Sequence, residues 1–453
     1  MSEFRATYPL YIGNMPRDTG QWLEVTDKYS NEVVSKVALA GSGEIDEAIS
    51  LAFEAREAMR CLPHHRRQGI LYHLVDRIRE RQDELAMALC VEAGKPIRDS
   101  RGEITRLIDT LRIAGEEAVR QNGELMPLDI APRSEGYAAI WKRVPIGVCG
   151  FITPFNFPMN LVAHKVGPAI AAGCPFVLKP ASATPISALI LGEILAESDL
   201  PPGAFSILPA RGRDIDPLIT DDRVAMISFT GSPEVGYEIR NRAHRKRVSL
   251  ELGGNAACIV DARVNLDYAA ERITTGAFYQ SGQSCISVQR VYAHEAIYEE
   301  LRDRLVKRAR ELKMGDPKDE STFLGPLITE DDAQRVEQWI QQAVDRGATV
   351  LCGGSRQKSL LDATWVEGVD ETLPLSCREA FGPVATIAPV RSVEEAICRA
   401  NMSDYGLQAG IFTNNWTLAW QAFEEIEAGG VVINDMPSFR VDSMPYGGMK
   451  QSG

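Results

Sequence analysis

The N-terminus, MSEFRATYPLYIG, lacks a basic segment followed by an apolar core, so no secretory leader is expected. No uninterrupted apolar run approaches the ~18 residues that a membrane-spanning helix needs. The nine cysteines are scattered, with no CxxC and no Cys/His cluster at metal-ligand spacing. That usage fits a reducing cytoplasm and gives no reason to expect a structural metal. Basic excess is missing too. A net charge of −13 argues against a broad nucleic-acid or anionic-membrane surface, while leaving room for a local basic pocket around a small anion. Internal repeats, low-complexity tracts and Gly/Ser linkers are also absent.

What is present is ordinary globular material. The chain has 453 residues, 45% of them hydrophobic and 25% charged, enough for two or three domains with sizeable cores. Helical periodicity over 44–60, 64–92 and 99–122 predicts a helical opening. From Val144 the pattern changes. Short apolar runs (VPIGVCGFIT, CPFVLKP, FSILP, VAMISFTG) alternate with helix-length segments at 160–172, 184–198 and 233–243, the rhythm of βαβ units on a parallel sheet. A second series begins near ELGGNAACIV, with helices expected at 266–281 and 295–313 and strands near 288–293, 348–352, 384–390 and 407–413. A cleft between two such α/β halves is a natural ligand site. Residues 125–143 interrupt the first half with strand-like pieces around a turn, and read as an arm leaving the domain.

The stretch YQSGQSCISVQR at 279–290 sets Cys285 among small and polar residues before an apolar run. Such a thiol is either a nucleophile or a small packing residue, and local sequence does not decide between them. Four other segments bear on it. TPFNFP at 153–158 places Asn156 after an apolar strand, where its amide could donate to a developing oxyanion, although Asn beside Pro also makes turns. FTGSPEVG at 229–236 follows a strand and opens a helix. Its Thr230, Gly231 and Ser232 stand where free N–H groups and the positive end of the helix dipole can meet a phosphate, although this is not the GxGxxG fingerprint and a plain strand-to-helix turn is the default reading. VLKPAS ends a strand with Lys179, a cation for ribose or phosphate oxygens or else a solvated lysine. ELGGNA supplies Glu251 at a strand end, able to activate water as a general base or to lie on the surface.

Taken together, these segments closely resemble the aldehyde dehydrogenases that use NAD or NADP. TPFNFP, KPAS, FTGS, ELGGNA, GQSC, EAFGP at 379–383, NMSDYGL at 401–407 and MPYGG at 444–448 follow in the family's order along essentially the whole chain. The resemblance implies an α/β fold in three parts. A Rossmann-type dinucleotide-binding domain would take 1–124 and 144–250, and a catalytic domain 251–430. A small β bridging region for oligomerisation would take 125–143 and 431–453. It further implies that Cys285 attacks the aldehyde and that Asn156, with the Cys285 N–H, holds the oxyanion. Glu251 would hydrolyse the thioester, and Lys165 in AHKVGP either relays protons or serves structure. Lys179 would meet the adenosine ribose and Ser232 the pyrophosphate. Glu379 would meet the nicotinamide ribose, with Phe381 packed beside it. Arg290 is expected to be structural.

Three departures refine this expectation. NAD-preferring relatives often carry a glutamate three residues after the KPAS lysine; Ser182 stands there instead, which permits NADP because a carboxylate would repel a 2′-phosphate. The family usually runs some tens of residues beyond the KQSG-type segment, including a strand that pairs with a neighbouring subunit. A homodimer or homotetramer is therefore expected only where that strand is present. Finally, Asn160 and His164 share one face of the helix after FNFP, where apolar relatives place aromatic side chains, and Arg440 precedes MPYGG in a loop closing the substrate tunnel. This pattern resembles the lactaldehyde and glycolaldehyde branch, and phosphonoacetaldehyde dehydrogenase, so a short polar or anionic aldehyde is the expected substrate. A CoA-acylating enzyme is the nearest alternative, disfavoured by Glu251, and an acyl-phosphate reductase fits worse. From another class, a non-catalytic binding protein on this fold gives no reason to keep Cys285, Asn156 and Glu251 together.

Overall fold

The computed structural model describes residues 4–453. Its apolar runs pair as two seven-stranded sheets. The first comprises β1 (Leu10–Ile12), β2 (Met15–Arg17), β3 (Val148–Ile152), β4 (Phe176–Lys179), β5 (Phe205–Ile207), β6 (Val224–Thr230) and β7 (Arg247–Glu251), in the order β7-β6-β3-β4-β5-β1-β2. From β7 to β5 the pairing is parallel, and β1 and β2 add antiparallel at the far edge. All five residues of β3 are buried, as expected for a parallel strand covered on both faces.

Helices α1 (Ser42–Cys61), α2 (His64–Glu80), α3 (Gln82–Ala93), α4 (Ile97–Ala118), α5 (Asn160–Ala172) and α6 (Ile186–Ala196) supply most of the cover, with α7 (Pro233–Arg242) between β6 and β7. The chain runs β3-α5-β4-α6-β5 outward to one side, then returns to lay β6 and β7 on the other. The order therefore reverses between β3 and β6, and the crevice beyond their C-terminal ends is where a doubly wound sheet accepts a ligand.

The second sheet comprises β8 (Ala256–Val260), β9 (Val288–His294), β10 (Thr349–Cys352), β11 (Thr364–Glu367), β12 (Val384–Val390), β13 (Gln408–Phe412) and β14 (Gly430–Ile433), in the order β10-β11-β12-β9-β8-β13-β14. It too is parallel except for the β10/β11 pair. Only Leu252–Asn255 join β7 to β8, so the C-terminal ends of the first sheet look across at the N-terminal ends of the second. Both sheets therefore supply residues to one cleft. A ribbon of Gly123–Pro127 paired with Ala138–Lys142 stands off the body, with Leu125, Ile130, Tyr137 and Ile140 exposed.

The structure differs from the sequence reading in three places. The chain opens with strands, not helices: Thr7–Tyr8, Trp22–Thr26 and Val33–Ala38 form a small separate sheet, and β1 and β2 edge the large one. The two- and three-residue strands are too brief for a two-residue period to register, and Trp22–Thr26 and Val33–Ala38 do not alternate strictly between apolar and polar. The helical segment over 64–92 breaks at Arg81 into α2 and α3. Residues 431–453, grouped by sequence with the arm, lie against the second sheet instead: β14 pairs with β13, and Met449–Lys450 pairs with Tyr405–Gly406. The buried Ser452 hydroxyl donates to the Gly253 carbonyl at 2.7 Å and accepts from the Gly406 N–H at 3.0 Å, tying the last residues to the loop between the sheets.

Candidate active site

Between the two sheets lies a cavity of about 300 Å³, whose lining includes Lys165, Thr230, Glu251 and Cys285. Cys285 ends the loop between the helix Leu266–Phe278 and β9. Gln280, Ser281 and Gly282 in this loop are all left-handed, at φ 52°, 56° and 70°. Two consecutive non-glycine residues in that region store strain, which persists only where surroundings enforce it. Here they do. Gln280 Nε2 donates to the Asn156 carbonyl, Ser281 Oγ to the Gly325 carbonyl at 2.8 Å, and Gln283 Oε1 accepts from the Ile328 N–H at 3.0 Å. A side chain on Gly282 would meet the Gly382 backbone, and one on Gly254 would collide with the Cys285 carbonyl, so neither position admits a Cβ.

Asn156 is buried against this loop. Its Nδ2 donates to the Gln283 carbonyl at 3.1 Å, two residues before the cysteine, and its Oδ1 has no partner. An amide nitrogen carries two hydrogens, so one remains beyond the Gln283 bond. The preceding FNFP turn is anchored by a fully buried pair, Lys95 with Glu103. The other Glu103 oxygen accepts from the Met159 and Asn160 N–H groups at 2.9 and 3.0 Å, satisfying the start of α5.

Glu251 ends β7, with its Oε2 buried and unbonded; burial raises its pKa above the usual carboxylate range. A carboxyl so placed holds or takes a proton readily. Lys165, on α5, donates to Ser228 Oγ at 2.7 Å and Thr230 Oγ1 at 2.9 Å, and burial brings its pKa down to about 8 despite the opposing pull of Glu251. Burial likewise pushes the Cys285 thiol up to about 11, so it needs help to ionise.

The opposite wall is charged. Asn160 and His164 do share a face of α5, and both turn to one carboxylate. Asp442 Oδ1 accepts from Asn160 Nδ2 at 3.2 Å and pairs with His164 Nε2 at 2.8 Å. Arg106, on α4, grips the same group with two bonds of 3.1 and 2.8 Å. With its side chain only 5% exposed, Asp442 is held well below the usual carboxylate range by His164 and Arg106, which outweigh its burial. Arg440 differs. Its guanidinium lies 3.7 Å from the Tyr446 ring centroid, its Nε is buried without a partner, and it has no ion pair among the described residues. Two guanidiniums, Arg106 and Arg440, and the titratable Lys165 thus line the cavity with two carboxylates, Glu251 and Asp442.

The remaining sequence candidates do not line this cavity. Lys179 ends β4 with no hydrogen bond to its ammonium among the described residues and a pKa lowered by burial to about 8. Ser182 Oγ donates to the Ala210 carbonyl at 3.1 Å. Gly231 follows β6, and Ser232 caps α7 by accepting from the Val235 N–H. Glu379 accepts from the Gly254 N–H at 2.9 Å, and burial raises it to about 7. Phe381 packs edge-on to Phe155 at 5.7 Å. Arg290 clips chain segments together, donating to Tyr292 and to the Asn255, Arg399 and Ala400 carbonyls.

Comparison with known proteins meets this geometry. The model of the aldehyde dehydrogenase family matches residues 15–453. The chain belongs to that family. A 3-sulfolactaldehyde dehydrogenase from Priestia aryabhattai is 42% identical over 447 residues, 98% of this chain and 93% of the relative. A lactaldehyde dehydrogenase from Methanococcus maripaludis is 38% identical over 96% of this chain and 94% of its own length. Among solved structures, aldehyde dehydrogenase 21 from Physcomitrella patens, in complex with the reaction product succinate, superposes with a TM-score of 0.98 at 47% identity, covering 99% and 94% of the two chains. A glyceraldehyde-3-phosphate dehydrogenase from Methanocaldococcus jannaschii, complexed with NADP, superposes at 0.90 with 37% identity, covering 97% and 95%. The aldehyde dehydrogenase fold and NAD(P)-dependent aldehyde oxidation are thereby this chain's own. The unpartnered ammonium of Lys179 and the capped start of α7 fit a dinucleotide in the β3/β6 crevice. No helix among the described residues is long and apolar enough to cross a membrane.

Proposed function

We propose that this enzyme oxidises a short anionic or strongly polar aldehyde to its carboxylic acid, with Arg440 receiving the substrate's charged end. The observation that carries this is Arg440, which lines the cavity with Cys285, is half-buried, has its Nε buried without a partner and makes no ion pair among the described residues. A cation left without a carboxylate in a closing cavity is costly, and an anionic substrate group relieves that cost. Asp442 saturates Arg106, His164 and Asn160, so these three shape the wall while Arg440 remains the receiving group. The relatives named for sulfolactaldehyde, and the neighbour holding succinate, support the same class. An aliphatic tail would leave the Arg440 guanidinium without an anionic partner, at about 1–3 kcal/mol.

In this reading Cys285 attacks the aldehyde carbon as thiolate, and its proton passes to Glu251 across the shared cavity. The Cys285 N–H and the second hydrogen of the Asn156 amide meet the oxyanion. NAD or NADP, bound by the first half through Lys179, Ser182, Thr230, Gly231 and Ser232, with Glu379 and Phe381 beside the nicotinamide ribose, supplies the hydride acceptor. The thioester left on Cys285 is then hydrolysed by water that Glu251 deprotonates. Overall, aldehyde, water and oxidised cofactor give carboxylate, reduced cofactor and two protons. Lys165, between Glu251 and the hydroxyls of Ser228 and Thr230, keeps the carboxylate's proton moving. A general base in the cavity supports hydrolysis over transfer of the acyl group to coenzyme A.

The exposed apolar residues of the ribbon support a second part of this reading, assembly into a homodimer or homotetramer through that arm where the family's further C-terminal strand is present. Light scattering should give a mass above the monomer, and a strict monomer would remove the assignment. For the activity, the test is NAD(P)H formation across a panel of aldehydes. Hydroxy-, carboxy-, sulfo- and phospho-aldehydes of three or four carbons should exceed hexanal and benzaldehyde in kcat/KM, and Cys285→Ala should lose turnover by about 10⁴-fold or more while still binding dinucleotide. Preference for long apolar aldehydes, or turnover by the alanine variant, contradicts the assignment.

A further inference from the structure

Tyr446 of the MPYGG segment has been given no role so far, yet its hydroxyl lies 3.3 Å from Cys285 Sγ. While the sulfur is a thiol, either atom can donate to the other. Once it is a thiolate, only the phenol can. Arg440 lies over the same ring, 3.7 Å from its centroid, and a cation on the π face draws electron density from the phenol and makes its O–H a stronger donor. We propose that Tyr446 is a catalytic hydrogen-bond donor to the Cys285 thiolate, held and strengthened in that role by Arg440. The proposal rests on Cys285 being the nucleophile.

The groups that bear on the sulfur divide by sign. Burial works against the thiolate, as do the carboxylates of Glu251, from β7, and Glu379, from the turn before β12. Tyr446 and Arg440, both from the loop after β14, work in its favour. Neither Asn156 nor Lys165 makes a hydrogen bond to the sulfur in this structure. Among the described residues, the phenol is the one side-chain group hydrogen-bonded to the sulfur. The same bond serves twice in the reaction. It favours the thiolate that adds to the aldehyde. When the thioester is hydrolysed, water oxygen bonds to the acyl carbon, the C–S bond breaks, and the sulfur leaves as that same thiolate. A phenylalanine here would fill nearly the same volume and leave the departing sulfur without a donor.

The test compares wild type, Tyr446→Phe and Arg440→Gln by the pH dependence of Cys285 alkylation with iodoacetamide, the modified site being located by peptide mass. A parallel titration follows the ultraviolet absorbance of the thiolate. Hydrogen bonds to charged groups are strong enough that losing this one should raise the midpoint by about one pH unit. kcat/KM at neutral pH should fall about tenfold and recover toward the wild-type value in alkaline buffer, which a merely structural defect would not do. Arg440→Gln should move the midpoint the same way by less. Tyr446→Leu, also without a donor, should share the Tyr446→Phe midpoint. Unchanged midpoints in both Tyr446 variants overturn the proposal. Alkylation of Cys285 that leaves turnover intact instead overturns the nucleophile assignment on which it rests.

Discussion

The cavity wall that carries Cys285 comes from one short loop braced from behind, whereas the wall that carries Arg440 is assembled from α4, α5 and the loop after β14, far apart in the chain. On the first wall, strained backbone is held by buried hydrogen bonds to neutral partners such as Asn156 and Gly325, with the Lys95–Glu103 pair beneath the adjacent turn. On the second, charges do the positioning, with three donors gathered on Asp442 and one cation left over. A nucleophile must be aimed within a fraction of an ångström, and a rigid neutral scaffold achieves that. A substrate-recognising wall has to leave a charge unsatisfied until the ligand arrives.

The comparison can be broken on the first wall by removing chemistry without disturbing packing. Glu251→Gln should form acyl-enzyme with a burst of reduced cofactor and then stall, lowering steady-state turnover by roughly 10²–10³-fold. Because burial raises the Glu251 pKa, the wild-type deacylation rate should fall as pH drops through that raised value, where the carboxylate gains a proton and stops acting as a base. The variant should lack this acid limb. A variant with neither burst nor steady-state loss would show that another group deacylates.

A second break goes to the bracing. Glu103→Ala strands Lys95 as an unpaired buried charge and uncaps the start of α5, so unfolding in urea should show a loss of about 3–5 kcal/mol. Replacing both partners, Lys95→Met with Glu103→Gln, should cost less than that single change. Equal losses would mean that packing rather than charge pairing is what matters there. The smallest effect is expected in the cofactor crevice. Ser182→Glu should discriminate against NADP relative to NAD by roughly tenfold, through like-charge repulsion of a 2′-phosphate. An unchanged ratio would place residue 182 away from that phosphate.

The same contrast explains what could be read from the sequence. The first wall is carried by contiguous motifs: GQSC, ELGGNA and the FNFP turn each name their residue, and Cys285 and Glu251 do line one cavity. The βαβ rhythm was equally legible, and α5 and β12 have the bounds the pattern predicts, 160–172 and 384–390. The second wall was only half legible. Asn160, His164 and Arg440 stood out as polar residues in segments expected to be apolar, but nothing in the sequence singled out Arg106 or gave Asp442 its role. Their significance lies in a contact between positions 336 residues apart, which no local pattern encodes. Tyr446 sat in a recognised motif, yet its hydroxyl acquires meaning only beside the sulfur. Of the opening strands, those of two and three residues carry no period, and WLEVT and VVSKVA are long enough but do not alternate strictly between apolar and polar.

Recognition by the second wall is tested most directly by one substrate pair: succinic semialdehyde against butanal, which has the same carbon count without the carboxylate, measured as kcat/KM in wild type and in Arg440→Ala. The wild type should favour the anionic aldehyde by at least about tenfold, the worth of one charge-assisted contact. In Arg440→Ala that preference should collapse, through a higher KM for succinic semialdehyde, with butanal changing far less. A wild type indifferent between the two, or an Arg440→Ala variant that loses both alike, would contradict the account.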